Sequence, residues 1–189
     1  MKKVLIIGAT GSLAKVVIEA LSEKEHLELT LFARNKNRIA NPNHFKVIEG
    51  DALNYTDVKN AVKGQDIVYV NLAGNLGAMA RNTVAAMEES NVKRIIAISS
   101  IGIYDKPLKP VLEPYRALAD VIEASGLDYT ILRPDWFTNA NEIDYITTLK
   151  GQPETGTAVS RKSIADFVSK LILHPDKHVK ENIGISKPL

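Results

Sequence analysis

The sequence predicts an α/β fold, a doubly wound parallel sheet in a single domain over residues 1–189. Three observations predict it. Short apolar runs rich in β-branched residues recur along the chain, segments of helical period lie between them, and a glycine-rich turn joins the first run to the first helical segment.

The runs cover residues 4–7, 27–32, 45–48, 67–70, 95–98 and 129–132. Nearly continuous apolar strands of this kind suit a parallel sheet covered on both faces. Leu13, Val16, Val17, Ala20 and Leu21 follow the i, i+3, i+4, i+7, i+8 spacing of a one-sided helix, and Ile164, Phe167, Val168, Leu171 and Ile172 repeat it. Tyr115, Leu118, Ile122 and Ser125 form a weaker stripe that stops at Gly126. Strand followed by helix, repeated, implies right-handed crossovers and one open sheet. The one irregular stretch, residues 139–157 with Gly151, Pro153 and Gly156, reads as a functional loop or small lid. Residues 135–160 are therefore the expected substrate region.

A chain of 189 residues buries roughly 70% of the surface its unfolded form exposes, so it needs no covalent or metal staple. The absence of cysteine excludes thiol catalysis and zinc-thiolate sites, and no metal site is expected. A formal charge of +2 gives no reason to expect nucleic acid. The opening "MKKVLIIGATG" is too short an apolar run for a signal peptide, and no stretch is long enough to span a membrane. A cytoplasmic protein acting on a small molecule is the expectation.

Gly8, Gly11 and Ala14 have the spacing G-x-x-G-x-x-A between the first strand and the first helix. Such a turn needs glycine where the chain folds back, no side chain where backbone approaches a pyrophosphate, and a small residue where helix meets strand. Alanine meets the third need. Amides near Ser12 and Leu13, with the positive end of the helix dipole, then face the phosphates. Arg34 ends the second strand where an NAD-preferring protein usually has a carboxylate, and a guanidinium grips a 2′-phosphate; Lys36 and Arg38 add charge. NADP(H) is thus expected over NAD(H).

"EGDALN" and "NLAGN" follow the third and fourth strands. Asp51, with Ala52 beside it, suits an adenine amino group, and Gly74 a close-lying ribose; turn chemistry accounts for these residues equally well. Ser99 and Ser100 in "AISSIGIY" either orient a carbonyl or a ribose or merely cap the strand's exit.

With these segments in order along nearly the whole chain, the sequence resembles the atypical short-chain dehydrogenase/reductase family, in particular its NmrA-like and flavin-reductase-like NAD(P)H-binding group. "GATGSLA", "GDALN", "AISSIGIY", "LEPYRALADVIEASGLDYTILRP" and "VSRKSIADFV" carry the resemblance. It implies a Rossmann domain with a small C-terminal substrate portion, in which Gly8, Thr10, Gly11, Ser12 and Leu13 contact the pyrophosphate, Arg34 the 2′-phosphate, and Asp51 and Ala52 the adenine. It also implies that Ala73, Gly74 and Asn75 lie along the nicotinamide half with Ser99 and Ser100 behind it, that Pro134 borders the nicotinamide, and that Trp136 and Phe137 begin the substrate pocket.

The chain departs from that family at its Tyr-x-x-x-Lys pair. "ALADVIEASG" sets Arg116 on the lysine and Leu112 on the tyrosine, and a register from Tyr115 meets Ala119 four residues later. Arg116 remains a candidate to hold ribose hydroxyls; Ser100, Tyr104 and Arg116 are the candidate catalytic residues, and Tyr104 or Tyr115 is the candidate acid from another position. The leading expectation is an NADPH-dependent oxidoreductase passing a hydride to a flavin or quinone, acceptors that take their proton from water. The competing readings are an NADP(H) redox sensor with a protein partner and, last, a sugar-nucleotide epimerase or dehydratase.

Overall fold

A computed structural model describes the whole chain, Met1–Leu189. Its centre is an eight-stranded sheet. The strands are β1 (Lys2–Ile7), β2 (Leu27–Ala33), β3 (Lys46–Glu49), β4 (Ile67–Val70), β5 (Arg94–Ile98), β6 (Asp128–Pro134), β8 (Ile146–Leu149) and β10 (Glu181–Ser186), in the order β3-β2-β1-β4-β5-β6-β10-β8. Every pairing is parallel except that of β10 with β8. The order reverses at β1 and β4, so the crevice for a ligand opens beyond the carboxyl ends of those two strands.

Helices α1 (Ser12–Ser22) and α5 (Arg161–Leu173) pack together on one face, and α2 (Tyr55–Val62), α3 (Leu76–Glu89) and α4 (Glu113–Glu123) cover the other. Side chains alternate across the sheet, so Val4 and Ile6 join the core under α1 and α5, while Leu5 and Ile7 join the core under α2 to α4. Burial on both faces explains why the central strands read as continuous apolar runs rather than alternating ones. The predicted helical stripes are buried, as at Leu13, Val17 and Leu21 in α1 and Ile164, Val168 and Leu171 in α5. Asn54 and Asn75 cap α2 and α3 by accepting the amides of Asp57 and Ala78.

The C-terminal part corrects one expectation. The stretch 139–157 is not a structureless lid, because β8 lies within it and forms the antiparallel edge of the sheet on β10. A four-residue strand that is half-buried on one face gives little apolar signal beside Gly151, Pro153 and Gly156. Strand β10 was also not foreseen: Gly184 interrupts its apolar run, and a Cβ there would lie 2.9 Å from Glu154 Oε1. Two-residue strands β7 (Phe137–Thr138) and β9 (Val159–Ser160) form a small parallel ribbon above the main sheet.

Candidate active site

The turn after β1 is built by two glycines with different reasons to be glycine. Gly8 has φ +88°, and a Cβ there would lie 2.0 Å from the carbonyl oxygen of Asn71, so the fold itself requires it. Gly11 has φ −66° and ψ 152°, ordinary extended backbone, and a Cβ would meet nothing nearer than Gly8 O at 3.4 Å. The protein's packing leaves room for a side chain at Gly11, so its bareness benefits the cleft that it lines. Helix α1 starts at Ser12 with no acidic residue in its first turn, and Ser12 and Leu13 line the cleft, so no carboxylate of that turn offsets the positive end of the helix there. Ala14 is fully buried and serves helix packing.

The first cleft holds about 370 Å³ and is lined by Gly8, Thr10, Gly11, Ser12 and Leu13 at one end and by Arg34, Arg38, Asp51 and Ala52 at the other. Arg34 and Arg38 are exposed and take part in none of the chain's ion pairs. Lys36 is not on the wall; its backbone amide donates to Glu49 Oε2 at 3.0 Å. Asp51 accepts the Leu53 amide at 2.9 Å, so one oxygen is engaged in the turn. Ala73 lines the cleft, but Gly74 and Asn75 do not: Gly74 turns the chain at φ +103° and Asn75 caps α3.

A second cleft of about 590 Å³ continues from the first, and Asn71, Leu72, Tyr115 and Phe137 line both. Its walls include Ser99, Ser100, Pro134 and Trp136, and no residue between 138 and 160. Ile101, Gly102, Asp105, Lys109, Val111, Leu112 and Asp135 also line it. Ser99 Oγ donates to the carbonyl of Tyr115 at 3.0 Å and ties the strand's end to α4, while Ser100 Oγ donates to Ile101 O at 3.2 Å. Trp136 is 82% exposed, so the mouth of this cleft carries a large bare aromatic face.

The departure from Tyr-x-x-x-Lys has a physical counterpart. Leu112, the residue aligned with the tyrosine, is on the wall of the second cleft. A leucine side chain has no proton to give. Arg116 lines neither cleft. Its Nε donates to Asp120 Oδ1 at 2.7 Å and its Nη1 to Ile103 O at 3.4 Å, and the Asp120 bond raises its pKa. Tyr104 also lies outside both clefts. Its hydroxyl donates to Glu123 at 3.2 Å and accepts from Asn182 Nδ2 at 2.7 Å; burial, then the Glu123 charge, push its pKa up. Both side chains are held by the protein itself, whereas Tyr115 is the one tyrosine on the cleft walls.

Sequence reasoning did not single out Phe32, Asn71, Leu72, Ile101, Asp105 or Lys109 as lining residues. Asn71 was findable as the first polar residue after the buried run of β4, at the carboxyl edge where ligands bind. No cluster of three His, Asp or Glu side chains is placed to hold a metal, and no helix is long and apolar enough to cross a membrane.

The sheet order, the glycine turn and the crevice above β1 and β4 define an NAD(P)-binding Rossmann protein with an oxidoreductase-like fold. The chain belongs to the NAD(P)H-binding family, whose pattern matches residues 8–175. It is 47% identical to a Rossmann-fold NAD(P)-binding family protein from Shigella flexneri, with a TM-score of 0.91 over 100% of this chain and 94% of that one. A short-chain dehydrogenase/reductase from Veillonella parvula, solved in complex with NADP, is 26% identical, with a TM-score of 0.89 over 99% of this chain and 95% of that one. The isoflavone reductase homolog A622-like of Nicotiana tabacum is 28% identical over 82% of this chain and 53% of its own length, so the chain spans about half of that relative. These relatives support the atypical short-chain dehydrogenase/reductase group.

Proposed function

We propose that the protein is an NADPH-dependent oxidoreductase that passes a hydride to a small planar acceptor of the flavin or quinone type. The observation that carries this reading is the joined pair of clefts, one walled by the glycine turn and two unpaired arginines, the other with Leu112 at the position aligned with the family's tyrosine. When bound, the nicotinamide supplies the hydride, and such an acceptor takes its proton from water.

The residues fit a dinucleotide. The bare Gly11 cradle and the first amides of α1 take the pyrophosphate, with Thr10, Ser12 and Leu13 around it. Arg34 and Arg38 grip a 2′-phosphate at the end of β2, which favours NADPH over NADH. Asp51 and Ala52 border the adenine; Ala73, Ser99, Ser100 and Pro134 border the nicotinamide end. Phe137 and Trp136 offer the acceptor an apolar surface that sheds water. Tyr115, at the junction, orients the reacting partners.

The displacement of Tyr104 and Arg116 from the clefts also favours a second reading, a redox sensor that binds NADP(H) and passes its state to a protein partner. Steady-state oxidation of NADPH with a panel of flavins, quinones and carbonyls separates the two. Turnover with flavins or quinones but not simple carbonyls supports the enzyme. NADPH binding without turnover on any acceptor refutes it, and an affinity that differs between NADPH and NADP then favours the sensor.

A further inference from the structure

Arg161 opens α5, yet its guanidinium lies at the start of a different helix, 149 residues away in sequence. Its Nε donates to Ser12 Oγ at 3.3 Å, where α1 begins. Neither α1 nor α5 has an acidic residue in its first turn, and Arg161 takes part in none of the chain's eight ion pairs. Two positive helix ends and a fixed cation are therefore brought together with no carboxylate paired to them. Positive charge at a helix N-terminus is unfavourable in an empty site and favourable once an anion sits there.

The guanidinium is aimed rather than loose. Nη1 donates to Asn139 Oδ1 at 2.8 Å and to Thr138 O at 3.3 Å, and the guanidinium carbon lies 5.2 Å from the centre of the Phe137 ring. Nη2 has no hydrogen-bond partner within the chain. Arg161 is not itself on the wall of either cleft, but its guanidinium touches two residues that are: Ser12, which lines the first cleft, and Phe137, which lines both.

We infer that Arg161 is a pyrophosphate-binding residue, a clamp contributed by the C-terminal helix across from the glycine turn. The inference rests on the dinucleotide reading but not on the choice between NADPH and NADH, because both carry the same pyrophosphate. It adds to the site a group that comes from neither the first βα unit nor the strand ends. It also ties phosphate binding to Phe137, the shared wall of the two clefts.

The test is calorimetric titration of wild type, Arg161→Gln and Arg161→Lys with NADPH, NADH and adenosine 2′-phosphate, which lacks the 5′-phosphates. The expected result is a loss of about tenfold or more for both dinucleotides in Arg161→Gln, with their ratio unchanged. Arg161→Lys, which keeps the charge without the fork, should lose less, and adenosine 2′-phosphate should bind all three proteins equally. Unchanged dinucleotide affinity overturns the inference. So does a loss confined to NADPH, which would assign the guanidinium to the 2′-phosphate, and so does an equal loss for adenosine 2′-phosphate, which would make Arg161 purely structural. Wild-type protein that binds neither dinucleotide overturns the nucleotide reading itself, and the inference with it.

Discussion

The two ends of the cleft are built by different means. At the end made by β1, β2 and the start of α1, backbone does most of the work: Gly8 lets the chain pass against Asn71, Gly11 leaves a bare wall, and α1 presents its first amides. At the end made by β5, β6 and the start of α4, side chains decide what is possible, and Leu112, Tyr115 and Trp136 stand there beside Asp105, Lys109 and Asp135. Backbone sites follow from fold and local sequence, whereas side-chain sites depend on where each rotamer is pulled by distant partners. The holding of a dinucleotide and its use are therefore separable properties of this chain, and substitutions can affect one without the other.

The largest expected effect is at Gly8. Gly8→Ala puts a Cβ 2.0 Å from a backbone oxygen at positive φ, and a loss of about 3–4 kcal/mol is expected, read as a lower denaturation midpoint. Gly11→Ala sharpens the contrast, since the chain has room for that methyl group. Stability should stay within about 0.5 kcal/mol of wild type while dinucleotide affinity falls about tenfold or more, and matched losses of stability and affinity would contradict the separate roles of the two glycines.

Arg34→Ala comes next, with an expected fall of about tenfold or more in NADPH affinity and little change for NADH. Wild type stabilised more by NADH than by NADPH in a thermal-shift titration would refute the cofactor preference. The smallest effect is expected at Arg116. Its partner Asp120 is exposed, so Arg116→Ala should cost about 0.5 kcal/mol and leave NADPH affinity unchanged. A tenfold loss of affinity there would return Arg116 to the ribose.

The same division governs what the sequence reveals. The G-x-x-G-x-x-A turn, Arg34 at the end of β2, and Trp136 after β6 are legible because short local rules set their positions. Tyr104 and Arg116 are adjacent to the right segments in sequence yet line neither cleft. Tyr104 is held by Glu123 and by Asn182 from β10, a strand with no clear sequence signal, and Arg116 by Asp120 and the Ile103 carbonyl. The β8 edge was hidden for a related reason: its pairing partner is β10, more than thirty residues further along. Arg161 is plain in the sequence as the arginine of "VSRKSIADFV", but only the packing of α5 beside α1 brings it to Ser12.

The central claim is that NADPH held against Gly11 gives up its hydride without a proton donor from the protein. It is tested most directly by single-turnover oxidation of NADPH, preloaded on wild type and on Tyr115→Phe, after mixing with a soluble naphthoquinone. Rapid loss of the reduced nicotinamide signal is expected in both, with rates within about threefold of each other. Bound NADPH that persists in wild type after mixing, or oxidation abolished by Tyr115→Phe, would contradict it.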